Sequence, residues 1–200
     1  LGVAPGMIVI KNLGVTDAWA VYHSGNTTAP ETDYLVLNTT AATVDDATMW
    51  NDTTPSSTVF SIGSNHQVNA SSENYVAYCF APSQFISIGS YSNGSGTAFV
   101  PTLNSLGIPI QPVFFLAKTY SAGTSNWIIL DNKREGYNVD NDPLYPNATT
   151  VEATTDLADI VTGGIKARAN GDPFYTTRSS IYMAIGTPII DVDGRIIAGR

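Results

Sequence analysis

Few side chains in this 200-residue sequence have the types and spacing that catalysis requires. The two histidines, His23 and His66, are the candidates for a general base beside a serine and an aspartate. No Gly-x-Ser-x-Gly motif accompanies them, and no glycine-rich loop followed by Lys-Ser or Lys-Thr is present to bind phosphate. No spacing selects a carboxylate pair for glycoside hydrolysis. The sequence therefore predicts a protein that is not an enzyme.

Metal-ligating side chains are also sparse. The chain has two histidines and one cysteine, too few for the clustered ligands of a zinc site. Asp140 and Asp142 offer carboxylate oxygens and are candidates for a weak calcium site. A second acidic stretch, Asp191 to Gly194, resembles part of a calcium loop, but the isoleucine pairs around its Asp-Gly dipeptide favour a hairpin turn. We expect no cofactor.

Charge excludes several classes of partner. Nine Lys and Arg against 17 Asp and Glu give a net charge of −8, and only 13% of positions are charged. Binding to a nucleic-acid backbone needs a basic stripe, which is absent here. The acidic balance disfavours an anionic membrane surface, and no apolar run reaches the roughly 18 residues of a membrane-spanning helix. Cys79 has no second cysteine to pair with and is expected to be buried and inert.

An internal repeat with an offset near 107 residues organises the chain. Single landmark residues recur in unchanged order, with offsets that drift by only two residues. The matched pairs are Pro5 with Pro112, Lys11 with Lys118, Trp19 with Trp127, Asn38 with Asn147, and Tyr75 with Tyr182. We interpret this pattern as a duplicated unit of about 100 residues.

Both copies have the pattern of short β-strands separated by turns. Residues 7–10 and 113–116 are short apolar runs, and further strands are predicted at 34–37, 59–62, 164–167 and 180–185. A period of two places Trp19 and Val21 on one face, and Trp127 and Ile129 likewise, so both tryptophans are expected in the core. Helical signals are weak and allow one turn per copy, within 41–50 and 151–161.

These features predict an all-β fold of tandem duplicated β-sandwich units, jelly-roll or concanavalin-like. The first repeat is expected over residues 1–85 and the second over 86–187. Residues 188–200 lie outside the repeat and are predicted to form a C-terminal hairpin or arm. Because its isoleucines would be costly to expose, we expect this segment to pack against another subunit or a neighbouring protein, with folding back on its own domain as the alternative.

Several strings resemble a domain found in virion proteins of marine tailed bacteriophages. They are WNDTTP (50–55), VFSIG (59–63), NYVAYCFA (74–81), GSYSNG (89–94), WIILD (127–131) and IYMA (181–184). That family occupies the distal part of tail-fibre-like or other particle-surface proteins and is expected to form β-sandwich units. The resemblance carries no catalytic motif. It implies a protein made in the host cytoplasm and located at the particle surface or tail.

The resulting hypothesis is a structural virion protein, a tail-fibre, particle-surface or decoration component. Its expected partners are copies of itself and other virion proteins, because uncharged strand edges favour pairing in a symmetric assembly. Host cell-surface glycans are a further candidate ligand. The alternatives are a secreted carbohydrate-binding module and, less favoured, a polysaccharide hydrolase. The candidate sugar-stacking rings, which lie in turn-rich stretches, are Tyr91, Tyr120, Tyr137 and Tyr145.

Overall fold

The computed structural model describes residues 1–92, 99–134 and 142–190. This part of the chain is predominantly β, as the sequence predicts, and contains twelve strands and two helices of one turn each. The strands are β1 (Met7–Asn12), β2 (Trp19–His23), β3 (Asp33–Val36), β4 (Val44–Asp45), β5 (Tyr75–Phe80), β6 (Ile86–Ser92), β7 (Phe99–Pro101), β8 (Ile110–Thr119), β9 (Trp127–Asp131), β10 (Ala158–Val161), β11 (Gly164–Ala167) and β12 (Ser179–Pro188). The helices are α1 (Ala47–Trp50) and α2 (His66–Asn69). Neither is long enough to cross a membrane, and no other described helix exists that could do so.

The strands form three antiparallel sheets. The first sheet has the order β4-β3-β2-β1-β5, the second β6-β12-β8-β9, and the third β10-β11-β7. One face of the first sheet packs on the second sheet, and its other face is covered by α1 and α2. The second sheet packs its remaining face on the third. The two central sheets are therefore buried on both faces.

Burial on both faces explains why the central strands are continuous apolar runs. In β1, Met7 and Val9 point into the core between the first and second sheets, whereas Ile8 and Ile10 point toward the helices. In β8, Leu116 points into the same inter-sheet core and Phe115 packs toward the third sheet. Alternate side chains of these strands thus supply two different cores.

The first and second sheets share a strand order and part of their register. The order β2-β1-β5 in the first sheet corresponds to β9-β8-β12 in the second. Trp19 lies opposite Lys11, and Trp127 lies opposite Lys118. The sequence landmarks at these four positions therefore occupy equivalent places in the two ladders.

The same hydrogen bond recurs at the matched asparagines. The backbone N–H of Trp19 donates to Oδ1 of Asn38 at 3.0 Å, and the N–H of Trp127 donates to Oδ1 of Asn147 at 2.8 Å. In each half the asparagine lies about twenty residues after its tryptophan in sequence. Its side chain accepts the hydrogen bond of the backbone N–H at the first residue of the strand.

The match between Tyr75 and Tyr182 is displaced by two residues in the ladder. Ala77, not Tyr75, lies opposite Ile10, whereas Tyr182 lies opposite Ala117, the residue that the repeat equates with Ile10. The expectation that the two tyrosines overlay is therefore wrong. An even shift keeps each tyrosine on the outer face of its own sheet, because side chains alternate with a period of two.

Several local expectations are corrected. Residues 59–62 form no strand, and the window 151–161 contains strand β10 instead of a helical turn. Helix α1 lies in the expected window 41–50, but α2 was not predicted. Trp127 is buried, whereas Trp19 and Cys79 are only partly buried.

The first residues of the proposed C-terminal arm belong to their own domain. Pro188 ends β12, and the Ile189 N–H donates to the Pro109 carbonyl. Residues 191–200 lie outside the described part of the chain.

The predicted boundary at residues 85 and 86 coincides with the connection between β5 and β6, where the chain leaves the first sheet for the second. The sheets of the two halves pack on each other and share one core, which contains Trp127 and against which the partly buried Trp19 packs. The division into two tandem sandwiches stays a prediction.

Candidate functional site

Two of the tyrosines proposed to stack on sugars pack against the core between the second and third sheets. The Tyr91 ring stacks on Phe174 with centroids 6.2 Å apart, and its hydroxyl donates to the Pro173 carbonyl at 3.4 Å. Burial raises the pKa of Tyr91 well above its usual range. Tyr145 packs against the same core and is partly buried. The Tyr91 ring thus packs on the core and is partly buried, and sugar stacking on it stays a prediction.

The remaining candidate tyrosines do not complete a platform with these two. Tyr120 packs against the core on the opposite face of the second sheet, between that sheet and the first. Tyr137 lies outside the described residues. The sheet therefore separates Tyr120 from Tyr91 and Tyr145, so these three rings form no single binding face.

Only one of the two proposed calcium ligands, Asp142, lies in the described part of the chain. Asp140 lies outside the described residues, and the backbone carbonyl of Asp142 accepts a hydrogen bond from Arg134 at 2.8 Å. Arg134 also pairs with Asp131 and Glu152, so this cluster is organised around a guanidinium group. In the three described segments, no group of three or more His, Cys, Asp or Glu side chains is placed to hold a metal ion.

His23, at the end of β2, is a buried contact between the first and second sheets. Its Nδ1 accepts the backbone N–H of Gly25 at 3.0 Å, which requires Nδ1 to be unprotonated. Its Nε2 then carries the proton and donates to the Tyr182 carbonyl in β12 at 3.0 Å. Burial lowers the pKa of His23 from 6.5 to about 4. Both ring nitrogens are occupied by backbone groups, so this histidine has a structural role.

The second histidine is on the surface. Nδ1 of the exposed His66 lies 2.8 Å from a carboxylate oxygen of Asp17, whose side chain is largely buried. A His–Asp pair is the part of a hydrolytic triad that orients the base, but a triad also requires a nucleophile on the other ring nitrogen. The described hydrogen bonds of His66 include no serine or cysteine.

Lys118 is a fully buried lysine that ties the two central sheets together. Its Nζ donates to the carbonyl of Thr40, in the loop after β3, at 3.1 Å, and to the carbonyl of Ser125 in the loop before β9. Burial lowers the pKa of Lys118 from 10.5 to about 8. The matched residue of the first half, Lys11, donates to the carbonyl of Asn12 at the end of its own strand and to that of Val15 in the following loop.

An apolar groove opens between the first and second sheets. It has a volume of about 210 Å³, and its walls have no polar surface. Its lining residues, called here the inter-sheet groove, are Met7, Val9, Trp19, Leu37, Tyr78, Phe80, Phe114, Leu116 and Met183. Trp19 and Leu37 also border a neighbouring cavity that includes Asn38 and Pro146. An apolar lining suits hydrophobic side chains better than sugar hydroxyls, which need hydrogen-bonding partners.

Trp19 is the groove residue that sequence reasoning placed incorrectly. The repeat equates it with Trp127, whose indole N–H donates to the Val36 carbonyl at 2.9 Å inside the core. Trp19 packs against the same core but stays partly exposed at the groove. The two positions have the same local pattern, so no local signal distinguishes a buried from a groove-lining tryptophan.

Strand β5 forms one wall of the groove and one edge of the first sheet. Tyr78 and Phe80 line the groove, and Tyr78 is 48% exposed. Residues 74–117 contain no Lys, Arg, Asp, Glu or His, and this stretch includes β5, β6, β7 and most of β8. Strand β6 is the corresponding edge of the second sheet, so two sheet edges are built from uncharged sequence. The groove together with these edges is the candidate interaction site.

Comparison with curated proteins and with solved structures finds no match. A protein-family model does match, over residues 1–187, and this range covers all three sheets, the inter-sheet groove and both uncharged edges. The chain therefore belongs to the family described as a domain of unknown function, DUF7483.

Proposed function

We propose that this chain is a non-enzymatic structural protein of a tailed-bacteriophage particle, located in the tail fibre or at the particle surface, and that it acts as a homo-oligomer. The observation that carries the proposal is the uncharged stretch 74–117, which supplies one edge strand of each central sheet in the described part of the chain. A monomeric protein normally protects such edges with charged residues, because open backbone groups pair with other chains. The lack of charge on these edge strands is explained if other chains cover them in an assembly.

Exposed apolar side chains support the same proposal. Large hydrophobic residues at many separate surface positions retain substantial exposure, among them Leu1, Val3, Leu13, Val59, Phe85, Phe99, Leu106 and Val151. Single exposed apolar residues are common. Near the inter-sheet groove and the uncharged edges they add to a surface that is apolar and poor in charge, which is typical of protein–protein contacts.

The location in a virion is supported by the resemblance of the strings quoted above to virion domains. The composition agrees with it, because a chain with a single cysteine needs no oxidising compartment in order to fold. Contact with host glycans stays a prediction, since Tyr91 and Tyr145 contact one core and Tyr120 another. The secreted carbohydrate-binding module has no supporting geometry in the described residues and is the weaker alternative.

We further propose that the two central sheets descend from a duplicated β-sandwich unit. The shared order of three strands, the equivalent placing of Trp19 and Trp127, and the recurrent bonds to Asn38 and Asn147 support this origin. The two-residue displacement at Tyr182 and the helical cover on one sheet are differences that followed the duplication. The tandem jelly-roll description is the finer part of this proposal.

Two measurements test the function. Mass spectrometry of purified phage particles whose genome encodes the chain should detect it in stoichiometric amounts, alongside known capsid and tail proteins. Light scattering on the purified chain should give a multiple of 21.2 kDa. Absence from the particles would contradict the virion role, and turnover of a cell-surface polysaccharide by the pure protein would contradict the non-enzymatic role.

A further inference from the structure

We propose that β5 pairs in antiparallel fashion with β5 of a second copy of this chain, about a two-fold axis at Ala77, so that the first sheets of two copies become one continuous sheet. This inference rests on the proposed homo-oligomer and names the surface that forms it. It makes β5 a specific self-association site.

The two edges of the first sheet are unequal. Strand β4 is two residues long, and Asp45 and the following Asp46 place negative charge along it. Strand β5 is six residues long and uncharged, with Tyr78 and Ala77 exposed. Short length and charge are the usual protections of an edge strand. The sheet therefore has one protected edge and one edge that is open to pairing.

The ladder between β1 and β5 determines which backbone groups face outward. The Leu13 N–H donates to the Asn74 carbonyl directly opposite, which marks a hydrogen-bonded pair. Because such pairs alternate with non-hydrogen-bonded pairs in antiparallel strands, the N–H and C=O groups of Tyr75, Ala77 and Cys79 point away from β1. In the described segments no strand pairs with this side of β5.

Self-pairing about Ala77 satisfies these groups symmetrically. Ala77 lies opposite its own copy and exchanges two hydrogen bonds, and Tyr75 lies opposite Cys79 of the second copy on each side of the axis. The same register places the exposed Tyr78 beside Val76 of the second copy, a favourable aromatic and β-branched pair. An isologous contact of this kind closes after two copies and does not grow into a filament.

Charge favours a second copy of this chain as the partner at this edge. Each chain carries a net charge of −8, so the repulsion between two copies is smallest where the contacting surfaces are uncharged. Strand β6 forms the edge of the second sheet, and Phe80 of β5 packs in the same core cluster as Ile88 of β6. Both uncharged edge strands thus contribute side chains to the same core.

The test uses the full chain and compares substitutions at the two edges. Ala77→Pro removes an outward N–H that β1 does not use, and proline is tolerated at such an edge position in the monomer. Ala77→Lys places two positive charges opposite each other at the axis. Val44→Lys is the matched control, because Val44 is also exposed but lies on the edge strand β4. Sedimentation equilibrium gives the dissociation constant of the pair of copies, and thermal melting reports the fold.

Both Ala77 variants should raise the dissociation constant at least about tenfold while their melting temperatures stay close to that of Val44→Lys. A second measurement does not depend on loss of assembly. In the Cys79→Ser background, Ala77→Cys should form a covalent dimer on treatment with diamide, because directly opposed Cα atoms lie about 5.5 Å apart, within disulfide range. Val44→Cys in the same background should not form it.

The inference is wrong if folded Ala77→Pro and Ala77→Lys proteins assemble with the same dissociation constant as the unmodified chain. It is also wrong if Ala77→Cys remains monomeric on non-reducing gels after treatment with diamide. Either result would leave the virion role intact, because assembly would then use another surface. Conversely, a β5-mediated dimer of a chain that is missing from phage particles would contradict the proposed location without affecting the pairing.

Discussion

Acidification is expected to destabilise this protein through His23. The neutral ring accepts the Gly25 N–H at Nδ1 and donates to the Tyr182 carbonyl at Nε2, so a second proton would convert the acceptor into a donor that faces another donor. The pKa of His23 is lowered from 6.5 to about 4 in the folded chain. The unfolded chain therefore binds more protons than the folded chain between these pH values.

The sign and size of the effect follow from this difference in pKa. The stabilisation is fully present above the unfolded pKa of 6.5 and is lost as the pH falls through the folded pKa of about 4. One pKa unit corresponds to about 1.4 kcal/mol, so the free energy of unfolding should drop by about 2 kcal/mol between pH 7.5 and 5 and by about 3 kcal/mol below pH 4.

Urea unfolding at pH 7.5, 6 and 5, followed by tryptophan fluorescence, measures this loss. His23→Gln should be less stable at pH 7.5 but should lose much less further stability down to pH 5. His66→Gln is the matched control, because His66 is exposed and its removal should leave the acid-dependent loss unchanged. If His23→Gln loses as much stability on acidification as the unmodified chain, the reasoning from the buried ring is refuted.

Three further comparisons test the packing and the buried polar contacts. Trp127→Ala should lower the free energy of unfolding by about 3–5 kcal/mol and Trp19→Ala by less than about 2 kcal/mol, because only Trp127 is fully buried. Equal losses of this free energy in urea unfolding would contradict the assignment of Trp19 to the groove. Lys118→Met should cost about 1–3 kcal/mol in the same assay, since it removes the lysine donor from the buried Ser125 carbonyl, whereas the Thr40 carbonyl keeps the Ser125 N–H as its donor. An unchanged midpoint would show that the ammonium contributes nothing net. Asn147→Ala should lower the melting temperature more than Asn38→Ala, because the Asn38 side chain is exposed and water can replace its hydrogen bond to the Trp19 N–H. A larger decrease for Asn38→Ala would contradict this account of the two asparagine hydrogen bonds.

The fold class follows from local patterns in the sequence. Short apolar runs between turn residues predict strands, and strands at 7–10, 34–37, 164–167 and 180–185 are present in the structure. The period of two places Trp19 and Val21 on one face, and both face the inter-sheet core, Val21 inside it and Trp19 at its partly exposed border. These predictions succeed because strand formation and facing depend on neighbouring residues, whose alternation is visible in the chain.

Non-local features could not be predicted in this way. The run at 59–62 has a strand-like composition but pairs with no strand, since pairing requires a partner that the sequence does not specify. Gly186 lies at a register shift of β12 where a Cβ would collide with the Gln111 carbonyl oxygen, a constraint imposed by the neighbouring strand β8. Local sequence carries no record of such neighbours.

The candidate site divides in the same way. The uncharged stretch 74–117 is a property of the sequence alone, and it limits where two acidic chains can approach each other. Only the tertiary structure decides that β5 and β6 are edges while the equally uncharged start of β8 is central. It also decides that Tyr91 fills a core and that Trp19, unlike Trp127, lines a groove, because burial depends on which sheet packs over each side chain.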